Sequence, residues 1–131
     1  MQFQNSFRQL IVWQKGKELT LFVYKITKNF PQEEKFALVS QMRRSAYSVI
    51  ANIAEGNSKN HLKDRCNFFN ISQGSLVELD CFAEIAYELD YINQETYSSL
   101  LELINKCGYL LIKFINSQKS KDKNTPTQIS S

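Results

Sequence analysis

The sequence predicts an all-α protein built as a bundle of four helices. The 131-residue chain divides into four stretches of helical periodicity separated by short polar or proline-bearing breaks. In the last stretch Tyr97, Leu100, Ile104, Cys107, Leu111 and Phe114 alternate steps of three and four, the a/d seam of a left-handed bundle. In the second, Met42, Ala46, Val49 and Ile53 recur at the same steps and share one face, widened by Val39 and Ile50.

Taken in order, the first helix is expected from about Gln9 to Asn29, with Val12, Leu19, Val23, Ile26 and Phe30 inward, and Phe30-Pro31 ends it. The second runs from about Lys35 to Glu55. Gly56 is expected to stop it in the left-handed conformation of a C-terminal cap, and Asn57 tolerates the turn that follows. The linker Asn57-Ser58-Lys59-Asn60 leads to a third helix over about Leu62 to Leu89, with His61 near its N-cap and Asp64 favourable in its first turn. Its inward face reads as Phe68, Ile71, Ser75, Leu79, Phe82, Ala86 and Leu89. Asp90 to Gln94 makes the next turn before the fourth helix. Gly16, Gly74 and Gly108 each interrupt a helix at up to about 1 kcal/mol against alanine, so a close backbone approach, within the subunit or across an interface, is the expected compensation. Beyond about Ser117 the chain is polar and lysine-rich. Residues 1–117 therefore read as one helical domain and 118–131 as a frayed or disordered tail, whose role is more simply solubility than anion contact.

Four sequence pieces carry a resemblance to a known family. Gln41-Met42-Arg43-Arg44-Ser45-Ala46 followed by Ala51-Asn52-Ile53-Ala54-Glu55-Gly56 is one; Val12-Trp13-Gln14-Lys15, Phe30-Pro31 and Gly74-Ser75-Leu76-Val77-Glu78-Leu79 are the others. In order and spacing they resemble the 23S rRNA intervening-sequence protein family over about Phe7 to Ile115. The resemblance implies an antiparallel up-and-down four-helix bundle that assembles into a ring-shaped homopentamer. It also implies kinship to accessory proteins of diversity-generating retroelements, similar bundles that work with a reverse transcriptase and bind nucleic acid. It implies no enzymatic activity.

Composition sets independent bounds. A chain of 131 residues, 43% hydrophobic, suits one packed domain able to bury roughly two-thirds of its unfolded surface. No apolar run approaches the ~18 residues of a membrane span, and Met1-Gln2-Phe3-Gln4-Asn5-Ser6 lacks the basic-then-apolar order of a signal peptide, so a cytoplasmic protein with no membrane partner is expected. Cys66, Cys81 and Cys107 include no Cys-x-x-Cys pair, which argues against a disulfide framework and a zinc knuckle; Cys107 falls on the core stripe as a small hydrophobe.

Charge is distributed unevenly. Residues 1–65 carry eleven Lys plus Arg against five Asp plus Glu, whereas residues 66–131 carry five lysines against eight acids. Glu78, Asp80, Glu84, Glu88 and Asp90 cluster on the third helix. Arg43 and Arg44 either pair with Glu78 or another acid on a neighbouring helix or face nucleic acid, and the scattered Lys15, Lys17, Lys28, Lys59, Lys63 and Arg65 favour nucleic acid. Trp13, Lys17, Tyr24 and Lys28 form a side stripe on the first helix. Interleaved aromatics and lysines suit single-strand binding, and they equally suit a subunit interface, the favoured reading for Trp13 and Tyr24. Asn52, seven residues from Ser45 on the same side, is expected to bond a neighbouring helix or subunit.

Catalytic classes find little support. Di-iron bundles need two inward Glu-x-x-His pairs, and this chain has one histidine, His61. No glycine-rich phosphate loop appears, and no serine or cysteine has a base assigned to it. No cofactor or metal is expected. Two functions remain: a non-catalytic oligomer presenting a basic surface to RNA or DNA without strong sequence selectivity, possible accessory to a reverse transcriptase, and a protein-binding or structural oligomer whose charges serve assembly and solubility.

Overall fold

A computed structural model describes residues 6–124. Four helices make up the fold: α1 (Ile11–Thr27), α2 (Leu38–Asn57), α3 (Leu62–Glu88) and α4 (Gln94–Asn124), with no strand among the described residues. Short 3-10 turns at Phe7–Gln9 and Gln32–Glu34 precede α1 and α2. The fourth helix runs on past the expected end at Ser117. The remainder of the expected tail, residues 125–131, lies outside the described residues.

Local chemistry sets most of the boundaries. Ser6 Oγ accepts from the backbone N–H of Arg8 and caps the opening turn. Pro31 starts a 3-10 turn, and α2 begins at Leu38, later than expected, where Glu34 Oε1 accepts from the Leu38 N–H at 3.3 Å. Asn93 Oδ1 accepts from Thr96 N–H at 2.8 Å, an N-cap for α4. At the end of α3, Tyr91 N–H reaches Ala86 O and Asp90 N–H reaches Tyr87 O, the paired bonds of a Schellman motif. Asp90 occupies its left-handed position with φ 62°. Asp90→Gly is therefore expected to raise stability by up to about 1 kcal/mol, read from the shift in denaturant midpoint.

Gly56 does something other than the expected capping. It is not in the left-handed region, and α2 continues through it to Asn57. A Cβ there would stand 2.6 Å from Phe69 Cε1 and 2.9 Å from the Arg65 carbonyl oxygen. The glycine is the contact point that lets α2 and α3 close on each other. Gly16 makes a similar approach to Ile50, whereas nothing lies within 4 Å of a Cβ at Gly74 or Gly108, so the close approach expected at those two is absent within the subunit.

Leu19, Val23, Met42, Val49, Ile53, Leu79, Leu100 and Leu111 fill the centre of the bundle, as their stripes predict. The face of α3 differs from expectation: Ile71 and Leu89 are half exposed, and the inner row is Phe69, Ser72, Ser75, Leu76, Leu79, Ala83 and Ala86. Small residues win this seam because α2 and α3 pack closely and satisfy polar groups between them. Ser72 Oγ donates to Val49 O at 2.8 Å, and Ser75 Oγ bonds Ser48 Oγ at 2.9 Å.

The pairings fix which ends meet. Thr20 Oγ1 approaches Ala46 O, and Arg43 reaches Thr27, along α1 and α2. At one end of the bundle the start of α1 shares a cleft with Leu110, Lys113, Phe114 and Ser117 of α4. At the other, Tyr91 O–H donates to Glu34 Oε2 at 2.8 Å and its ring lies 5.2 Å from that of Phe30. The bond to Glu34 raises the Tyr91 phenol pKa above its ordinary 10.0.

Burial pushes the Cys107 thiol up to about 12 from its ordinary 9.0. The protonated form is the one the fold favours, so its contribution is complete below pH 9.0 and is lost as pH rises through about 12. In the native protein a disulfide thiol reagent at pH 8 is expected to modify exposed Cys81 first and half-buried Cys66 more slowly, with Cys107 reacting only on unfolding. Native-state labelling followed by peptide mapping checks the order.

Candidate nucleic-acid interface

Two of the eight cationic candidates act as helix terminators. Arg43 Nε donates to Thr27 Oγ1 at 2.9 Å and its Nη2 to Tyr24 O at 3.3 Å, while the guanidinium lies 4.6 Å from the Tyr24 ring centre. The last carbonyls of α1 thus receive a positive charge where the helix dipole favours one. Arg65 does the same for α2. Its Nη1 donates to Asn57 O at 3.0 Å and Lys59 O at 3.1 Å, and its Nη2 reaches Asn57 Oδ1 and Gln118 of α4. Burial lowers the Arg65 pKa below its ordinary value, and the ring of Phe69 lies beneath it. Among the described residues neither Arg43 nor Arg44 makes the ion pair with Glu78 or another acid that the sequence offered for them.

The remaining cations lie nearer to solvent. Lys15 pairs with Glu18 of the same helix at 2.9 Å, and Lys59, just past the end of α2, pairs back to Glu55 at 3.4 Å; both pairs are weakly held. Lys28 lines a cleft with Thr27, Phe30, Pro31, Lys35 and Arg43. Arg44, Lys17 and Lys63 are exposed, and Lys17 Nζ sits 5.9 Å from the Trp13 ring centre.

The aromatic stripe of α1 is largely occupied within the subunit. Trp13 packs on the core and against Phe7, with ring centres 4.8 Å apart, and Tyr24 lies under Arg43. Asn52 turns back on its own helix, donating to Ser48 O at 2.8 Å and to Ser48 Oγ at 3.1 Å. Ser48, which bonds Ser75, links it to α3, and among the described residues its amide makes no direct bond to the neighbouring helix that was one of the two partners expected.

Folding rearranges the charges. One half of the bundle comprises the starts of α1 and α3 and the ends of α2 and α4. It gathers Arg8, Lys15 and Lys17; Lys59; Lys63 and Arg65; and Lys113, Lys119 and Lys121, nine cationic side chains against the four carboxylates Glu18, Glu55, Asp64 and Asp122. The other half holds six cationic side chains against nine carboxylates, among them the acidic row of α3 together with Glu33, Glu34, Glu95 and Glu102. Arg8 and Lys113 stand alone in the sequence; the return of α4 beside the start of α1 brings Lys113 to the turn that holds Arg8. Among the described residues no group of three or more His, Cys, Asp and Glu side chains is arranged to hold a metal ion, and no helix is long and apolar enough to cross a membrane.

These features define a small four-helix-bundle protein with a charge-divided surface. The chain belongs to the 23S rRNA-intervening sequence protein family, whose model matches residues 8–113. It is similar to a solved protein of unknown function from the S23 ribosomal protein family of Bacteroides thetaiotaomicron, at 28% identity and a TM-score of 0.72, over 80% of this chain and 98% of that one. No match is found among curated proteins.

Proposed function

We propose that this protein is a non-catalytic oligomer that holds RNA or DNA through the phosphate backbone, as an accessory to a reverse transcriptase or another nucleic-acid machine. The observation that carries the reading is the concentration of solvent-facing lysine and arginine on one half of the bundle. Cations on separate helices, with no single helix offering a row of base-reading side chains, suit phosphate contact and little sequence choice. The helix pairings support an antiparallel up-and-down course.

Assembly into a ring, five-membered as in the bundles this chain resembles, would multiply a net charge of +3 per subunit. Support comes from the outer faces of α3 and α4, where Ile71, Val77, Ile85, Tyr109 and Ile112 are exposed and Gly74 and Gly108 leave open space. Gly74→Ala and Gly108→Ala are each expected to stabilise an isolated subunit by up to about 1 kcal/mol, since nothing obstructs the new methyl. If those faces join subunits, the same changes lower the oligomeric mass. Light scattering after size exclusion reads both species, and a clean monomer near 15.2 kDa for the unaltered protein sinks the ring. The apolar strip also favours the second reading, a protein scaffold without a nucleic-acid role. Anisotropy titration with labelled RNA and DNA at about 50 mM salt separates the two, because electrostatic contacts are least screened there and a scaffold leaves both probes unbound.

A further inference from the structure

We infer that the docking surface for the phosphodiester strand is the basic end of the bundle, where α1 and α3 begin and α2 and α4 finish, and that the acidic opposite end keeps the strand away. This rests on the nucleic-acid reading above and adds where the strand lies.

Three observations converge. Among the described residues, Arg8, Lys17, Lys63, Lys113 and Lys119 at this end are exposed and form no ion pair with a carboxylate. Arg8, Lys17 and Lys113 lie over the rings of Phe7, Trp13 and Tyr109 at 4.6, 5.9 and 5.4 Å, which steadies them without neutralising their charge. Arg65 meanwhile ties Asn57 at the end of α2 and Lys59 of the connection to Gln118 of α4, so Lys63 and Lys119 stand on braced segments. At the far end, nine carboxylates outnumber six cations, and none of them is ion-paired among the described residues. A polyanion meets attraction at one end and repulsion at the other, so a strand has one favourable place to lie. The cations contact the backbone, which RNA and DNA share, and base identity contributes little.

The test compares two variants of equal net charge. One carries Arg8→Gln, Lys17→Gln, Lys63→Gln, Lys113→Gln and Lys119→Gln; the other carries Lys25→Gln, Lys28→Gln, Lys35→Gln, Arg44→Gln and Lys106→Gln. Binding of a labelled single-stranded RNA, and of the DNA strand of the same sequence, is followed by anisotropy across a salt series, with circular dichroism and mass checked for each variant. The first variant is expected to bind both strands at least about tenfold more weakly, with a salt slope shallower by up to about 3.5 if all five contacts are lost at ~0.7 each. The second is expected to change by less than about threefold, because Lys28 and Arg44, candidates from sequence, stand in the acidic half and so fall outside the basic-end surface. Equal losses in the two variants, or a greater loss in the second, overturn the basic-end surface while leaving nucleic-acid binding intact. If the unaltered protein binds neither strand at about 50 mM salt, the nucleic-acid reading falls and this surface with it; binding to phosphatidylserine vesicles instead would name a different partner and equally overturn the proposal. Should a fivefold variant fail to fold, Lys63→Gln with Lys119→Gln is read against Lys28→Gln with Arg44→Gln by the same criteria.

Discussion

Replacing Phe69 with alanine is expected to cost about 3–5 kcal/mol, the largest single loss among the substitutions considered. Its ring is fully buried, meets Phe114 edge-on at 5.1 Å between centres, fills the space beside Gly56 and lies beneath the Arg65 guanidinium. Removing it opens a cavity between α2, α3 and α4 and takes away the surface on which Arg65 rests. Arg65 would then lose its hold on Gln118 and on the carbonyls of Asn57 and Lys59. Urea denaturation of the variant should show a lowered midpoint with little change in slope, and a loss below about 1 kcal/mol would mean that the site collapses freely around the gap.

Gly56→Ala attacks the same junction from the other side, at an expected net cost of about 1–3 kcal/mol. The added methyl meets Phe69 Cε1 at 2.6 Å and Cδ1 at 2.9 Å, and the Arg65 carbonyl oxygen at 2.9 Å. A buried ring and a helix backbone move less readily than the tip of an exposed chain, so α2 and α3 must part. The gain in helix propensity, up to about 1 kcal/mol, is smaller. Gly16→Ala is the internal comparison: its one contact under 3 Å is the Ile50 Cγ2 methyl at 2.6 Å, a single β-branched side chain with no backbone atom beside it, and its cost should be below that of Gly56→Ala. Combining Gly56→Ala with Phe69→Leu should cost less than the sum of the two single changes, because the smaller side chain relieves part of the clash.

What could be read from the sequence follows from how local each determinant is. Leu100, Ile104, Cys107 and Leu111 repeat so regularly that their burial along α4 needs no knowledge of the partner helices. The face of α3 was hidden because its inner row is built from serine and alanine around Phe69, Leu76 and Leu79, while Ile71, Val77 and Ile85 point the periodicity outward. Gly56 looked like a cap by the local rule for glycine at helix ends, yet its reason is a contact with Phe69, thirteen residues further along the chain.

The candidate interface divides along the same line. Lys15, Lys17 and Lys63 were legible as surface cations from helix position, and Lys59 from its place in a polar linker. Arg43 and Arg65 looked equally available, but each reaches carbonyls on a different segment, Tyr24 for one and Asn57 for the other, which periodicity cannot show. The two halves of the sequence carry opposite charge bias, and the helix pairings convert that into opposite ends of one bundle by bringing the turn that ends at Gln9 beside Lys113, and Arg65 beside Gln118. Trp13 and Tyr24 were legible as a side stripe, Tyr24 being exposed, while the neighbours of their rings, Phe7 and Arg43, come from other segments and were not.

The most direct test of the central claim is the salt dependence of binding by the unaltered protein to two RNA strands of unrelated sequence. Phosphate contact predicts straight, parallel lines of log affinity against log salt with a steep negative slope, the two affinities staying within a few-fold of each other at every salt concentration. Strong binding to one sequence that persists as salt rises, or no binding to either at about 50 mM, would contradict it.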